Sequence, residues 1–267
     1  YGGRSLTWGG ITLRFSPEDF HPSQKGGYGP DWPITYNELS PHYDFIEKFC
    51  GIYGQKDDIK EVPNGKYIGE IPLTINETIF GNKIKSKLNY PFIQSRGFDR
   101  NSSVKEGQWP KSSSVGTTLK KALNTGNVQI LSNHLVESFE IDKITELAKQ
   151  IIIVNLENGQ RVALKCELII LCASTISTLR ILLNSENKSN SSGFKDTSEK
   201  LGKYLMDHIS ICRFFSVPNT IQTKKISNSS PELSGAGSFF IPFGTNLPKT
   251  ESINFLRGYG IWGAIDR

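Results

Sequence analysis

The stretch YGGRSLTWGGITLRF places two glycine pairs, Gly2-Gly3 and Gly9-Gly10, around Arg4, Ser5, Thr7 and Trp8. Residues without a Cβ let the backbone come close to a bulky ligand. Successive backbone N–H groups in such a loop can serve phosphate or ring-carbonyl oxygens. The plain alternative is a tight loop with no ligand. Ser5 can offer its hydroxyl to a ligand or to its own turn, and Trp8 can pack on a flat ring or enter a core. Elsewhere the reactive side chains are scattered. Cys50, Cys166, Cys172 and Cys212 make no CxxC pair, and none of the four histidines sits at metal-ligand spacing. No G-x-S-x-G elbow is present, which sets a hydrolase aside.

The elements that must position these residues follow from local signals. Residues 1–35 are rich in Gly, Pro and aromatics and read as an ordered loop region. NELSPHYDFIEKFCGIYG reads as a helix, with Pro41 in its first turn, Phe45, Ile46 and Phe49 on one apolar face, and Gly51 as the stop. Residues 55–110 carry many turn signals and read as irregular, with short strands or helical turns. SSSVGTTLKKALNTGN reads as a capped helix closed by Gly126, followed by a short strand over 128–131. Residues 136–141, 151–156 and 161–164 alternate or run apolar around an ENG turn, which spells a β-meander. Residues 168–172 (LIILC) form a continuous apolar run, expected as a strand buried on both faces with Cys172 as a buried thiol. It leads into the helix STISTLRILLNS, capped by Ser174 or Thr175. A polar loop over 185–198 precedes a short helical segment, LGKYLMDH, and a strand at 209–217.

Composition bounds the rest. The chain has 267 residues, 37% hydrophobic and 21% charged, which is ordinary for a globular protein. Its net charge of +5 is spread along the sequence without a run of like charges, so no nucleic-acid surface is read. No apolar stretch reaches the length of a membrane-spanning helix. The cysteine usage fits a reducing compartment such as the cytoplasm and leaves localisation open. Sequons at Asn76, Asn101, Asn187, Asn190 and Asn228 matter only in a secreted protein.

Five stretches in order resemble the glucose–methanol–choline oxidoreductase family of FAD enzymes, in its sugar- and polyol-oxidising branch. GGRSLTWGG is similar to the flavin-contacting loop. PEDF with GYGPDWPITYNELSPHYDFIEKFCGIYG resembles the segment after it. NVQILSNHLVESFEID is similar to the strand whose valine, here Val136, meets the adenine. ELIILCASTISTLRILLNS resembles the strand–turn–helix that usually reads Ala-Gly, here Ala173-Ser174. LGKYLMDH is similar to a Gly-x-x-Leu-x-Asp-His segment.

The resemblance implies an α/β fold: a partial Rossmann-like FAD-binding domain with a β-meander (1–35 and 111–208). With it goes part of a substrate domain built on an antiparallel sheet (36–110 and 209–267). It implies oxidation of a CH–OH donor, an alcohol, polyol or sugar, with hydride passing to flavin N5 and an electron acceptor that is left open. Gly2, Gly3, Arg4, Ser5, Thr7, Trp8, Gly9, Gly10, Val136, Ala173 and Ser174 are the implied cofactor contacts. A similar position to Thr7 carries a covalent histidine in pyranose oxidases, so FAD is expected to be non-covalent. Ser174 stands where the family usually has Gly, and Thr178 where Pro is usual. His208 is expected as a buried structural residue, and His21, His42 and His134 as lone surface or loop histidines. No G-x-G-x-x-G follows a strand, and SGAGS at 234–238 is the nearest glycine cluster. The chain therefore resembles an internal portion of such an enzyme. The dinucleotide turn and the catalytic histidine are expected outside it, the latter beyond Arg267, and the portion alone is expected to be inactive and a poor FAD binder. The rival reading is a flavin-free binding module in which Tyr28, Trp32, Tyr36 and Tyr43 stack on sugars.

Overall fold

A computed structural model describes residues 3–25, 29–99, 108–142, 144–185, 196–215, 239–243 and 259–265. The chain divides into two compact units, Gly2–Gly126 with Val217–Arg267, and Asn127–Ser216. Gly2, Val217, the 234–238 glycine cluster and most of the 185–198 loop lie outside the described residues.

In the larger unit, helix α1 spans Tyr36–Cys50. Thr35 and Glu38 form a reciprocal capping box: the Thr35 N–H donates to the Glu38 carboxylate at 2.8 Å, and the Glu38 N–H donates to Thr35 Oγ1 at 3.3 Å. Gly51 ends the helix in the left-handed region, as expected. The start differs from the sequence reading, because the box lies ahead of the proline and leaves Pro41 in the second turn. The buried face differs too. Phe45 and Ile46 are exposed, and the residue of α1 that is buried is Glu47. The inward stripe is polar because it wraps a single guanidinium, Arg14. Nε donates to Glu47 at 2.8 Å, Nη2 to Asp44 at 2.6 Å, and Nη1 to Tyr36 Oη and Ser40 Oγ at 3.3 and 3.4 Å.

Helix α2, Ile75–Leu88, falls where the sequence reads as irregular. Thr74 and Glu77 form a second capping box, and Asn89 closes the helix with φ 53°. Glu77 is fully buried and also accepts the Ile265 N–H at 3.1 Å. Strand β1, Ile93–Gln94, begins a three-stranded antiparallel sheet, and the six-residue helix α3 spans Thr118–Leu123. Residues 128–131 form no strand and are exposed.

In the smaller unit the expected meander is present. Strands β2 (His134–Ile141), β3 (Ala148–Asn155) and β4 (Arg161–Lys165) pair antiparallel in that order. Helix α4, Thr175–Ser185, packs on β2 through buried Ile181 and Phe139. The Ser185 hydroxyl donates to Ile181 O at 2.6 Å and accepts the Phe139 N–H at 2.9 Å.

Five expectations fail here: the 168–172 strand, the buried Cys172, the helical LGKYLMDH segment, the strand from 209 and the buried His208. Residues 168–172 form no strand and pair with none among the described residues; Leu168 and Ile170 are each 76% exposed, and Cys172 is exposed. A strand is buried on both faces only when neighbours hydrogen-bond its edges and cover its faces. Leu201 and Gly202 form only a turn, and 203–215 carry no helix or strand. Ile209 and Phe214 are 97% and 94% exposed, and His208 is exposed rather than buried.

The larger unit completes its sheet with β5 (Phe239–Phe243) and β6 (Tyr259–Gly263), in the order β1-β5-β6. Ile93 and Phe240 face Val62, while Phe92, Phe239 and Ile241 form a second cluster. The protein thus combines helices with two antiparallel sheets. Among the described residues every strand pairing is antiparallel.

Candidate functional site

In the larger unit the glycine loop is held from three sides. Arg4–Leu6 makes one 3₁₀ turn, started by Gly3 at φ 72° and tightened by Leu6 N–H to Gly3 O at 3.2 Å. Ser5 then reaches across the fold. Its hydroxyl donates to Ser114 Oγ at 3.0 Å and accepts the Ser114 N–H at 3.1 Å. Trp8 donates its indole N–H to Ser112 O at 2.8 Å and sets its ring edge-on to Phe98, 5.6 Å between centroids. At the far end, Gly10 O accepts the Phe98 N–H at 3.0 Å, and Thr12 N–H donates to Arg96 O at 2.8 Å.

The strap that carries Arg96 is fixed in turn. The guanidinium, 1% exposed, donates to the carbonyls of Val62 and Pro63 at 2.9 and 2.7 Å and to Asp57 at 3.1 Å. Burial pushes the Asp57 carboxyl above its usual range, against the opposing pull of Arg96. A Cβ on Gly97 would fall 2.1 Å from Gly10 O, so that glycine is required by the close approach of two backbones.

In the loop itself, Gly3 is set by its backbone, because φ 72° lies in the left-handed region that strains a side chain, whereas Gly9 has no such constraint. A Cβ on Gly9 would meet only Ile11, at 3.9 Å, and one on Gly3 would meet nothing within 4 Å. Among the described residues nothing crowds either position, so the loop keeps a side-chain-free face at both. That face suits a flat, bulky ligand approaching the backbone. Arg4 is exposed and makes no ion pair among the described residues, and Thr7 Oγ1 donates to Arg4 O within its own turn at 3.4 Å. Trp8, 41% exposed, is neither a core residue nor a free one.

In the smaller unit Val136 lies half-buried on β2, opposite Ile153, where the register shifts between Val136 and Ser138. Such a bulge re-aims side chains locally. Glu137 in the bulge takes a two-pronged contact from Arg161, 2.9 Å from Nε and 2.8 Å from Nη2, and its carbonyl accepts Asn184 Nδ2 at 3.1 Å. The hydrogen bonds from Arg161 hold the Glu137 carboxyl below its usual range. Ala173 and Ser174 lead exposed into α4. Ser174 has φ 69°, a left-handed conformation that costs a side chain energy and a glycine none, and its carbonyl accepts the Thr178 N–H at 2.8 Å.

The histidines stay outside these groups. His21 faces Asp31 at 3.4 Å, an acidic partner absent from the sequence reading because ten residues separate the two. His134 Nδ1 lies 2.6 Å from Ser132 O. Among the described residues no three His, Cys, Asp or Glu side chains converge to hold a metal ion. The sequence reading missed Ser112, Ser114 and Phe98. The SSS run at 112–114 was the available signal, but nothing local ties it to Ser5.

Comparison with known proteins finds similarity to several oxidoreductases. The chain is 24% identical over 237 residues to the 2-methyl-1,2-propanediol dehydrogenase of Mycolicibacterium austroafricanum, covering 78% of this chain and 40% of that protein. It is 26% identical over 224 residues to the fructose dehydrogenase large subunit of Gluconobacter japonicus, again covering 78% and 40%. A shorter match, 37% over 59 residues, joins 21% of the chain to 11% of the paromamine 6'-oxidase of Streptomyces fradiae. The chain therefore spans two fifths of the length of these two dehydrogenases. No family model matches.

Proposed function

We propose that this chain is part of an FAD-dependent oxidoreductase of the glucose–methanol–choline type that oxidises the CH–OH group of an alcohol, polyol or sugar. The observation that carries the reading is the extended similarity, over 78% of the chain, to a diol dehydrogenase and a sugar dehydrogenase. The open backbone at Gly3 and Gly9 fits a flavin, because a flat ring system can lie against it where any Cβ would project.

When bound, FAD supplies a hydride acceptor for the carbinol carbon at its N5. The chain's own residues bind and orient. Gly3 and Gly9 leave backbone open to the cofactor, as Gly2 does in this reading, while Gly10 is buried against the 96–98 strap at φ 73° and shapes the end of the loop. Ser5 and Trp8 fix the loop through Ser114 and Ser112, so that little ordering is left for the moment of binding. Arg4 offers a positive charge, and Thr7, unable to form the bond a histidine would, leaves the cofactor dissociable. Val136, Ala173 and Ser174 are cofactor contacts in this reading through the family resemblance alone. The base that takes the hydroxyl proton is not among these residues, and in this reading it is a histidine outside the chain.

The test is expression of the complete natural reading frame that contains this chain, followed by reconstitution with FAD. Oxidised-flavin absorbance that bleaches anaerobically on adding a polyol or sugar is the expected result. A protein that takes up no flavin under these conditions overturns the proposal and favours a binding module.

A further inference from the structure

A recess lies where the last turn of α1 meets the 111–117 segment of the larger unit. It is a cavity of about 360 Å³ whose lining includes Lys48, Phe49, Cys50, Ile68, Lys111 and Thr117. That volume lies in the range of small-molecule sites. No carboxylate is among its lining residues. Neither lysine forms an ion pair among the described residues. Lys48 does feel Asp44 one turn back in the helix, but that carboxylate is engaged by Arg14 at 2.6 Å. A third cation adjoins the rim, with Lys121 Nζ 4.7 Å from the centroid of the Phe49 ring.

The same turn supplies acceptors. Gly51 and Ile52 both direct their N–H groups to Glu47 O, at 2.9 and 3.0 Å. The carbonyls that follow Glu47 belong to the last turn, where intrahelical partners run out. The helix C-terminus carries about half a negative charge, weaker than two whole ammonium charges. Burial pushes the Cys50 thiol above its usual range, so it adds no negative charge at neutral pH. The recess thus has two cationic residues and the last turn of α1 in its lining, and a helix end is where free carbonyl acceptors lie.

We propose that this cavity binds a small polyhydroxylated anion, a sugar phosphate or sugar acid, with Lys48 and Lys111 pairing its anionic group and the end of α1 accepting its hydroxyls. A simple anion satisfies only the lysines, and a neutral sugar only the carbonyls. The site does not depend on the flavin reading. It adjoins that loop only through the 112–114 segment that Ser5 and Trp8 grip.

The test is calorimetric titration of the full chain without FAD, using 6-phosphogluconate, gluconate, inorganic phosphate and glucose at fixed ionic strength. Saturable binding of 6-phosphogluconate is expected. Gluconate should bind more weakly, phosphate at least tenfold more weakly, and glucose not detectably. Lys48→Gln with Lys111→Gln should weaken 6-phosphogluconate binding by roughly tenfold or more, the scale of two partly exposed ion pairs. Both lysines are exposed, so the thermal melt should stay unchanged. Equal binding by the double variant, equal affinity for phosphate and 6-phosphogluconate, or no saturable binding overturns the proposal. Flavin uptake is measured separately, so failure here leaves the oxidoreductase reading standing, and the reverse holds.

Discussion

Arg14 and Glu47 meet as a buried two-pronged pair, with Nε and Nη2 of the arginine donating to the two carboxylate oxygens at 2.8 and 2.5 Å. Glu47 also accepts the Lys66 N–H at 2.7 Å, so one carboxylate ties the loop preceding α1, α1 itself and the 65–67 segment together. Breaking a buried pair from one side leaves an uncompensated charge that costs about 3–5 kcal/mol. Glu47→Ala should therefore lower the urea-unfolding free energy by roughly that amount. A loss below about 1 kcal/mol would mean that water reaches the arginine.

The same cluster sets an acid limb. The hydrogen bond from Arg14 holds the Asp44 carboxyl below its usual range, although partial burial opposes the shift. A lowered folded value means that the ionised form stabilises the fold. That contribution is complete above the unfolded value of about 4 and is lost as pH falls through the folded one. Asp44→Asn should flatten the fall in stability below about pH 4, read from urea midpoints across an acid series. An unchanged acid limb would place the titration elsewhere.

Gly9 and Gly97 separate two reasons for being glycine. Gly9→Ala meets only ordinary contact, so its thermal melt should match the wild type, while FAD uptake by the complete protein should fall. Gly97→Ala drives a Cβ against the backbone of Gly10. It should cost at least about 2 kcal/mol, in the range of overpacked sites. A destabilised Gly9→Ala would show that the loop packs on its own chain instead of on a ligand.

Ser174 carries left-handed strain at the start of α4. Ser174→Gly relieves about 1–2 kcal/mol of that strain and returns part of it as added freedom in the unfolded chain. A net gain of about 0.5–1 kcal/mol is expected in chemical denaturation. A loss would mean that the hydroxyl makes a cap worth more than the strain.

Cysteine labelling reads the unpaired segments directly. Cys172 and Cys212 are exposed, while Cys50 is half-buried with its thiol pushed up by burial. Iodoacetamide followed by peptide mass mapping should modify Cys172 and Cys212 first and Cys50 last. Protection of Cys172 would show that the 168–172 run is covered in solution.

By itself the sequence determined what is local. The helix that Gly51 stops, the 134–165 meander and the helix after Ser174 all follow from neighbours a few residues apart, which is the range of caps, turns and alternation; the Thr35–Glu38 box was equally local, but Pro41 drew the reading of the helix start to itself. It also marked the glycine loop and, through resemblance, the position that asks for glycine at Ser174. Helix α2 carried its signal in Thr74 and Glu77, but its mixed surface hid the periodicity. Tertiary structure alone decided which face of α1 turns inward. An apolar stripe of Phe45 and Ile46 loses to a polar one because Arg14, more than twenty residues upstream, must be solvated by protein once it is buried. It alone joined Ser5 to Ser114 across 109 residues and brought Gly97 against Gly10. Among the described residues it also left the apolar run 168–172 without a strand partner. A strand's burial depends on partners at its edges, and no property of those five residues supplies them.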